Sequence, residues 1–178
     1  MGERTGIEWT NDTWNPWYGC QKVSPGCDHC YAERDMTRYG RAFSTIQRAA
    51  PSTFQAPYRY KGPRVFTCSW SDFFIREADP WRLEAWDIMQ ATPHLTYQVL
   101  TKRPGRMLDW FHRQGWLPNV WAGVSLEADQ IDGHRYWGRL PLLLQVEAPV
   151  RFVSVEPMLG PVNLRPWLKW ARPLGDMP

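Results

Sequence analysis

Short apolar runs alternate with longer amphipathic stretches along the chain, and most of the apolar runs pass into a polar turn containing Gly, Ser or Pro. This alternation predicts βα units and a parallel sheet of about five strands. Strands are predicted within residues 6–17 and over residues 64–70, 95–100, 120–124 and 150–155. Helices are predicted over residues 31–41, 81–91 and 106–114, with a helical or irregular stretch over 133–144 and an irregular link over 42–62. The pattern therefore indicates the α/β fold class.

Polar side chains follow four consecutive predicted strands. They are Ser69 and Asp72, then Thr101, Lys102 and Arg103, then Ser125 and Glu127, and finally Ser154 and Glu156. Parallel strands bring their carboxyl ends to one edge of a sheet, and binding sites are built at that edge. Any one of these residues is equally well explained as a cap of the following helix. Their recurrence at four strand ends favours one shared site.

The composition limits which classes of protein are possible. The 178 residues are 43% apolar and 15% aromatic, which suffices for a hydrophobic core, and we predict a single domain over residues 1–178. The net charge of +3 comes from interspersed charges, which permits a nucleic-acid partner without arguing for one. The first residues are not a secretory signal, and no segment approaches the roughly 20 apolar residues that cross a bilayer. We therefore expect a cytoplasmic protein with no membrane partner.

Three cysteines crowd into the segment GCQKVSPGCDHCYA. Cys20, Cys27 and Cys30 are separated by six residues and then two, and a Ser-Pro-Gly turn between the first two lets the chain double back. Clustered thiols in a chain without an export signal favour metal binding over disulfides. Three thiolates suit a four-iron cluster that keeps one iron open for a small molecule. The cysteine loop, residues 20–30, is therefore the candidate metal site.

Zinc is the competing interpretation, because two residues between cysteines is also zinc-finger spacing. Structural zinc normally takes four ligands, and Asp28 and His29 lie too close to the existing ligands to bend back easily. Cys68 lies in a predicted strand. Strand alternation there puts Ser69 with Thr67 on one face, so if Ser69 faces the site, Cys68 points into the helix layer as a buried thiol. An iron–sulfur cluster is the favoured prediction.

Five ordered motifs carry a resemblance to a known family. They are WNPWYGC, SWSDFF, VLTKRP, VWAGVSLE and VSVEPMLGP, and together with the cysteine loop they resemble the phage Gp37/Gp68 family, a three-Cys-motif group similar to radical SAM proteins. The resemblance implies an incomplete TIM-like βα barrel in which a [4Fe-4S] cluster cleaves S-adenosylmethionine to a 5'-deoxyadenosyl radical. Relatives continue into a further Gly-rich strand and helix, so we expect a barrel truncated at its C-terminus. The radical SAM signature has three residues between its first two cysteines, whereas this chain has six.

The resemblance also implies roles for five residues as the binding site for S-adenosylmethionine. His29, just before the last cysteine, takes the position that lies against the adenine. Ser69 and Asp72 follow the strand that meets the methionine amino group. Ser125 and Glu127 match the place where the ribose hydroxyls are held.

Two cations and one carboxylate complete the candidate site. Lys102 and Arg103 stand at the end of the third predicted strand, and Glu156 follows the fifth. The cation pair is suited to a carboxylate or phosphate of the substrate, as part of the catalytic set. A salt bridge between these cations and Glu156 across the sheet is an equally good explanation.

Two functions follow as expectations. The first is a radical-SAM-like enzyme, phage-encoded or from a bacterial host, acting on an unknown substrate that includes nucleic acid among its candidates. The second is a non-catalytic binding module that contacts a host or phage protein or nucleic acid. In this module an iron–sulfur cluster or zinc only stabilises the barrel. The 12 tryptophans are suited to base stacking, although a packed core is their commoner use.

Overall fold

A five-stranded parallel sheet lies at the centre of the protein in a computed structural model that describes residues 5–131, 134–135 and 138–170. The strands are β1 (Asp12–Trp14), β2 (Trp17–Tyr18), β3 (Gln47–Arg48), β4 (Arg64–Thr67), β5 (Thr96–Thr101), β6 (Val120–Ser125), β7 (Gln130–Ile131), β8 (His134–Arg135) and β9 (Arg151–Ser154). The helices are α1 (Tyr31–Arg38), α2 (Pro51–Phe54), α3 (Asp79–Ala91), α4 (Pro104–Gln114) and α5 (Arg139–Leu144).

The main sheet has the order β1-β4-β5-β6-β9, and all four neighbouring pairs are parallel. One row of the register runs across the whole sheet through Trp14, Thr67, Val99, Ala122 and Arg151. The strands β2 and β3 form a separate antiparallel pair, as do β7 and β8. The predicted α/β class and parallel sheet are confirmed.

One face of the sheet packs against the helices. Val65 of β4, Val99 of β5 and Val124 of β6 are fully buried there, in one cluster with Met89 of α3 and Met107 of α4. Alternating positions of parallel strands share a face, so this set is the apolar stripe that the sequence pattern predicts. Burying each such side chain contributes roughly 1.5–3 kcal/mol. No helix in the described ranges is long and apolar enough to span a membrane.

The opposite face carries the alternate residues of the same strands. Phe66 of β4 lies 4.7 Å, ring to ring, from Trp9 of the N-terminal segment. A Cβ on Gly123 of β6 would overlap the ring of Phe152 of β9, which lies over it. Gln98 of β5 donates to the backbone oxygen of Trp9 at 3.3 Å. The segment before β1 therefore covers part of this open face.

Most element boundaries differ from the sequence prediction by a few residues. β4 ends at Thr67 rather than at residue 70, and Cys68 follows it. Cys68 is a buried thiol of the core cluster, as predicted, and it also lines a cavity together with Ser69. The predicted irregular link over 42–62 contains β3 and the short α2, whose first turn includes Pro51.

The amino ends of the strands are held by neutral side chains that bond to the backbone. Asn119, before β6, donates through Nδ2 to the carbonyl oxygens of Met89, Thr92 and Leu95 at 2.9, 3.3 and 3.1 Å. Thr10, before β1, donates to a carbonyl oxygen of β4 at 3.1 Å. These bonds fix the turns that lead into the sheet.

Candidate functional site

A cavity of about 480 Å³ lies at the carboxyl ends of the parallel strands. Its volume is within the usual range for small-molecule pockets. Ten of the predicted site residues line it: Cys20, Cys27, His29, Cys30, Ser69, Asp72, Lys102, Arg103, Ser125 and Glu156. The structure thus brings together three thiols and polar residues from four strand ends, as the sequence pattern predicts.

The cysteine loop is anchored at its start by backbone bonds. Gly19 has a φ of +91°, and a Cβ there would overlap the backbone of Thr45, so glycine suits the turn before the first thiol. The amide of Cys20 donates to the carbonyl oxygen of Phe43 at 2.8 Å. A 3₁₀ turn (Pro25–Cys27) then leads to Cys30, and α1 begins directly after it. The loop therefore presents its thiols from a defined backbone.

Burial controls the charge of the Cys20 thiol. Desolvation raises its pKa to about 11, the negative charge of Asp72 adds to the rise, and the Arg103 guanidinium opposes it. Nη1 of Arg103 lies 3.8 Å from Sγ of Cys20. Cys20 is thus a protonated thiol at neutral pH when no metal is bound, and ligation requires loss of that proton.

The donor set fits an iron–sulfur cluster in kind, since three thiols of one loop line one cavity. Within the part of the chain that the structure describes, however, no group of three or more His, Cys, Asp or Glu side chains stands ready to hold a metal ion. Metal binding therefore requires the cysteine loop to draw its sulfur atoms together.

Asp72 is bonded on both carboxylate oxygens by the protein itself. Oδ1 accepts from the Thr101 hydroxyl at 2.7 Å and from the Phe74 amide at 2.9 Å. Oδ2 accepts from the Lys102 amide at 2.9 Å and from Nη1 of Arg103 at 3.0 Å. Arg103 also donates to the carbonyl oxygen of Gln21 at 2.8 Å. This carboxylate joins two strand ends to the start of the cysteine loop.

The two cations at the end of β5 are paired, but not with the carboxylate of Glu156. Lys102 pairs with Glu127 at 3.0 Å, and Arg103 pairs with Asp72 at 3.0 Å. Lys102 reaches only the backbone oxygen of Glu156, at 3.3 Å. The alternative prediction of a salt bridge to Glu156 is therefore wrong. Among the described residues no ion pair includes Glu156, which is exposed at the cavity wall.

Comparison with known families gives one match. A family model described as a protein of unknown function (DUF5131) matches residues 4–171. The chain belongs to this family. No curated protein and no solved structure matches it. The family carries no stated activity, so a function has to be argued from the cavity itself.

Glu127 stands apart from the other predicted site residues. It is fully buried and does not line the cavity. Its Oε1 accepts from the Ser24 hydroxyl at 2.7 Å, and Arg139 lies 3.5 Å from its Oε2. Its Oε2 is buried and accepts no hydrogen bond from the described residues. Its contact with a ribose stays a prediction.

Cys68 and Tyr31 are among the cavity residues that were not predicted as site residues. Cys68 lines the wall, and complete burial raises the pKa of its thiol well above the usual value. The hydroxyl of Tyr31 donates to the carbonyl oxygen of Ser69 at 2.7 Å and ties α1 to the end of β4. No sequence signal marks Tyr31.

Proposed function

We propose that this protein is a radical-SAM-like iron–sulfur protein that holds a [4Fe-4S] cluster on Cys20, Cys27 and Cys30 and binds S-adenosylmethionine in the adjoining cavity. A cytoplasmic, reducing location and a partial barrel of the radical SAM type belong to the same proposal. The observation that carries it is the cavity at the carboxyl edge of the sheet, which all three thiols line. The five motifs that resemble the phage Gp37/Gp68 family support it.

The charges around the cavity favour a cationic ligand. Arg103 neutralises Asp72, and Lys102 neutralises Glu127. Glu156 is the exposed carboxylate at the wall with no ion pair among the described residues. The sulfonium and ammonium groups of S-adenosylmethionine would find a complementary negative charge there.

Different residues of the chain would hold the cluster and orient S-adenosylmethionine. The three cysteines would hold the cluster, which, when bound, supplies one electron for the reductive cleavage of S-adenosylmethionine. Trp9, Phe66 and Leu100 give the cavity an apolar wall that suits a flat heterocycle and excludes water. His29, which the resemblance places against the adenine, also lines the cavity.

Metal analysis of the anaerobically purified protein tests this proposal. We expect about four irons and four sulfides per chain, and an electron paramagnetic resonance signal of the reduced protein that changes when S-adenosylmethionine is added. The triple variant with Ala at positions 20, 27 and 30 is the matched control and should lose the iron. Zinc without iron, or a cluster signal indifferent to S-adenosylmethionine, would contradict the proposal.

A second candidate function is that of a binding module. In this case a fully ligated metal site stabilises the fold and performs no radical chemistry. The observation that favours it is Cys68, which brings a fourth thiol to the wall of the same cavity. Four thiols complete a structural zinc site or a fully ligated cluster, and neither leaves an open position.

The Cys68→Ser variant separates the two candidates. If Cys68 is a fourth ligand, the variant should lose most of its metal, as the Cys27→Ser variant should. If the cluster keeps an open iron, the Cys68→Ser variant should retain the wild-type metal content and its response to S-adenosylmethionine.

A further inference from the structure

Glu127 at the end of β6 is a fully buried carboxylate that contacts the cysteine loop. The hydroxyl of Ser24, in the turn between the first two cysteines, donates to Oε1 of Glu127 at 2.7 Å. The same hydroxyl lies 3.7 Å from Sγ of Cys27. A single oxygen atom therefore connects the buried carboxylate to the middle thiol.

Gly26 makes a second contact between the loop and Glu127. It is buried, and a Cβ at this position would overlap Oε1, Cδ and Cγ of Glu127. The loop backbone thus lies directly on the carboxylate, at a distance that only glycine allows without displacement.

Two cations lie beside this carboxylate inside the protein. Nζ of Lys102 lies 3.0 Å from Oε1, and Nη1 of Arg139 lies 3.5 Å from Oε2. Lys102 directly follows β5 and Arg139 is the first residue of α5, so Glu127 contacts residues from two different elements. A buried charge persists only when such partners are present, and a charged acceptor makes the stronger hydrogen bond.

We infer that Glu127 is a positioning residue that holds the middle of the cysteine loop through Ser24 and Gly26, rather than a residue that touches the cofactor. Its effect on the thiols does not require a metal, whereas its effect on cluster assembly rests on the proposed function. Loss of the Ser24–Glu127 bond should free the turn that carries Cys27 while leaving Cys20, anchored by Arg103 and Phe43, in place.

Thiol alkylation of the metal-free full chain tests the inference without reference to the cluster. Reaction with iodoacetamide is followed at each cysteine by peptide mass spectrometry. In the Ser24→Ala variant we expect Cys27 to react roughly tenfold faster, the factor expected for losing one hydrogen bond to a charged group. Glu127→Gln keeps an acceptor oxygen but removes the ion pairs, so it should accelerate the reaction at Cys27 by a smaller factor. Ser24→Thr keeps the hydroxyl and should restore the wild-type rate.

Asn119→Ala is the matched control, because it removes hydrogen bonds at the opposite edge of the sheet. It should lower the midpoint of urea denaturation and leave the rate at Cys27 unchanged. Ser24→Ala retains the buried ion pair, so the test stands even if Glu127→Gln fails to fold. Equal acceleration at Cys27 in Ser24→Ala and Asn119→Ala would overturn the inference, because it would show general loosening.

Cluster reconstitution supplies the second measurement. If the wild type takes up iron, Ser24→Ala should take up less than half as much, with a shifted electron paramagnetic resonance signal, and Ser24→Thr should recover both. If the wild type takes up no iron, the proposed function fails, while the alkylation rates still decide the role of Glu127. Unchanged alkylation in Glu127→Gln together with weaker binding of S-adenosylmethionine would show a ligand contact and overturn the inference.

Discussion

The two edges of the central sheet are built from different chemistry. At the amino edge, neutral groups such as the Asn119 amide and the Thr10 hydroxyl bond to backbone carbonyls. At the carboxyl edge, the charged pairs Asp72–Arg103 and Lys102–Glu127 lie mostly buried beside four thiols. Hydrogen bonds from neutral side chains satisfy the backbone carbonyls of a turn at little cost in free energy. Buried charges, in contrast, are costly to desolvate.

The difference indicates which edge serves function. Buried ion pairs are weak evidence for stability, since apolar replacements are often as stable. Their concentration around one cavity is better explained by the need to hold the cysteine loop and the strand ends in a set geometry. For the amino edge we predict a contribution to stability alone. The following predictions test this division, from the largest expected effect to the smallest.

Replacement of Asp72 should have the largest effect. Asp72→Ala removes the acceptor of four hydrogen bonds and leaves the Arg103 guanidinium without its counter-ion. Breaking a buried pair in this way costs about 3–5 kcal/mol in the free energy of unfolding. Urea denaturation followed by circular dichroism measures the loss. Asp72→Asn, which keeps one acceptor oxygen, should lose less, and equal stability of Asp72→Ala and the wild type would refute the buried-charge account of this edge.

Replacement of Asn119 should have a smaller effect of a different kind. Asn119→Ala removes the side-chain donor of three hydrogen bonds to carbonyl oxygens of the turn before β5, at a cost of about 1–3 kcal/mol. Metal content and the binding of S-adenosylmethionine should stay at wild-type values, as isothermal titration and metal analysis would show. Loss of metal in this variant would break the distinction between the two edges.

The pH dependence of stability should show the smallest effect, through Asp79 outside the cavity. Desolvation raises the pKa of Asp79, but hydrogen bonds from Arg82 and Arg106 outweigh it, so its pKa lies below the ordinary value of 3.8. A lowered pKa means that the stabilisation is present above that value and is lost as the pH falls through the folded-state pKa.

Thermal unfolding between pH 6 and pH 2.5 measures this contribution. We expect a modest loss below about pH 4, since the Asp79 side chain is partly exposed and solvent screens its ion pairs. The Asp79→Asn variant should lose the part of this pH dependence that Asp79 supplies. An identical acid profile in the variant and the wild type would show that the two arginines do not stabilise the folded state through this carboxylate.

The order of the elements and the location of the site were predictable from the sequence. Strand and helix periods are local properties, so β5, α4 and β6 were predicted to within a few residues. Parallel strands carry their ends to one edge, which correctly placed Ser69, Asp72 and Ser125 around one cavity with the cysteine loop. Spacing alone identified the three thiols as a group.

Which side chains contact each other at the site depended on the tertiary structure. Cys68 belongs to the core cluster and also lines the cavity, and because β4 ends at Thr67, strand alternation does not set the direction of the next side chain. Lys102 pairs with Glu127 rather than with Glu156 because the buried carboxylate lies beneath the cysteine loop. The sequence by itself determined the α/β order, the cysteine group and the edge where they meet. Only three-dimensional packing decided which charges pair and which carboxylate supports the loop, because those contacts join residues far apart in the chain.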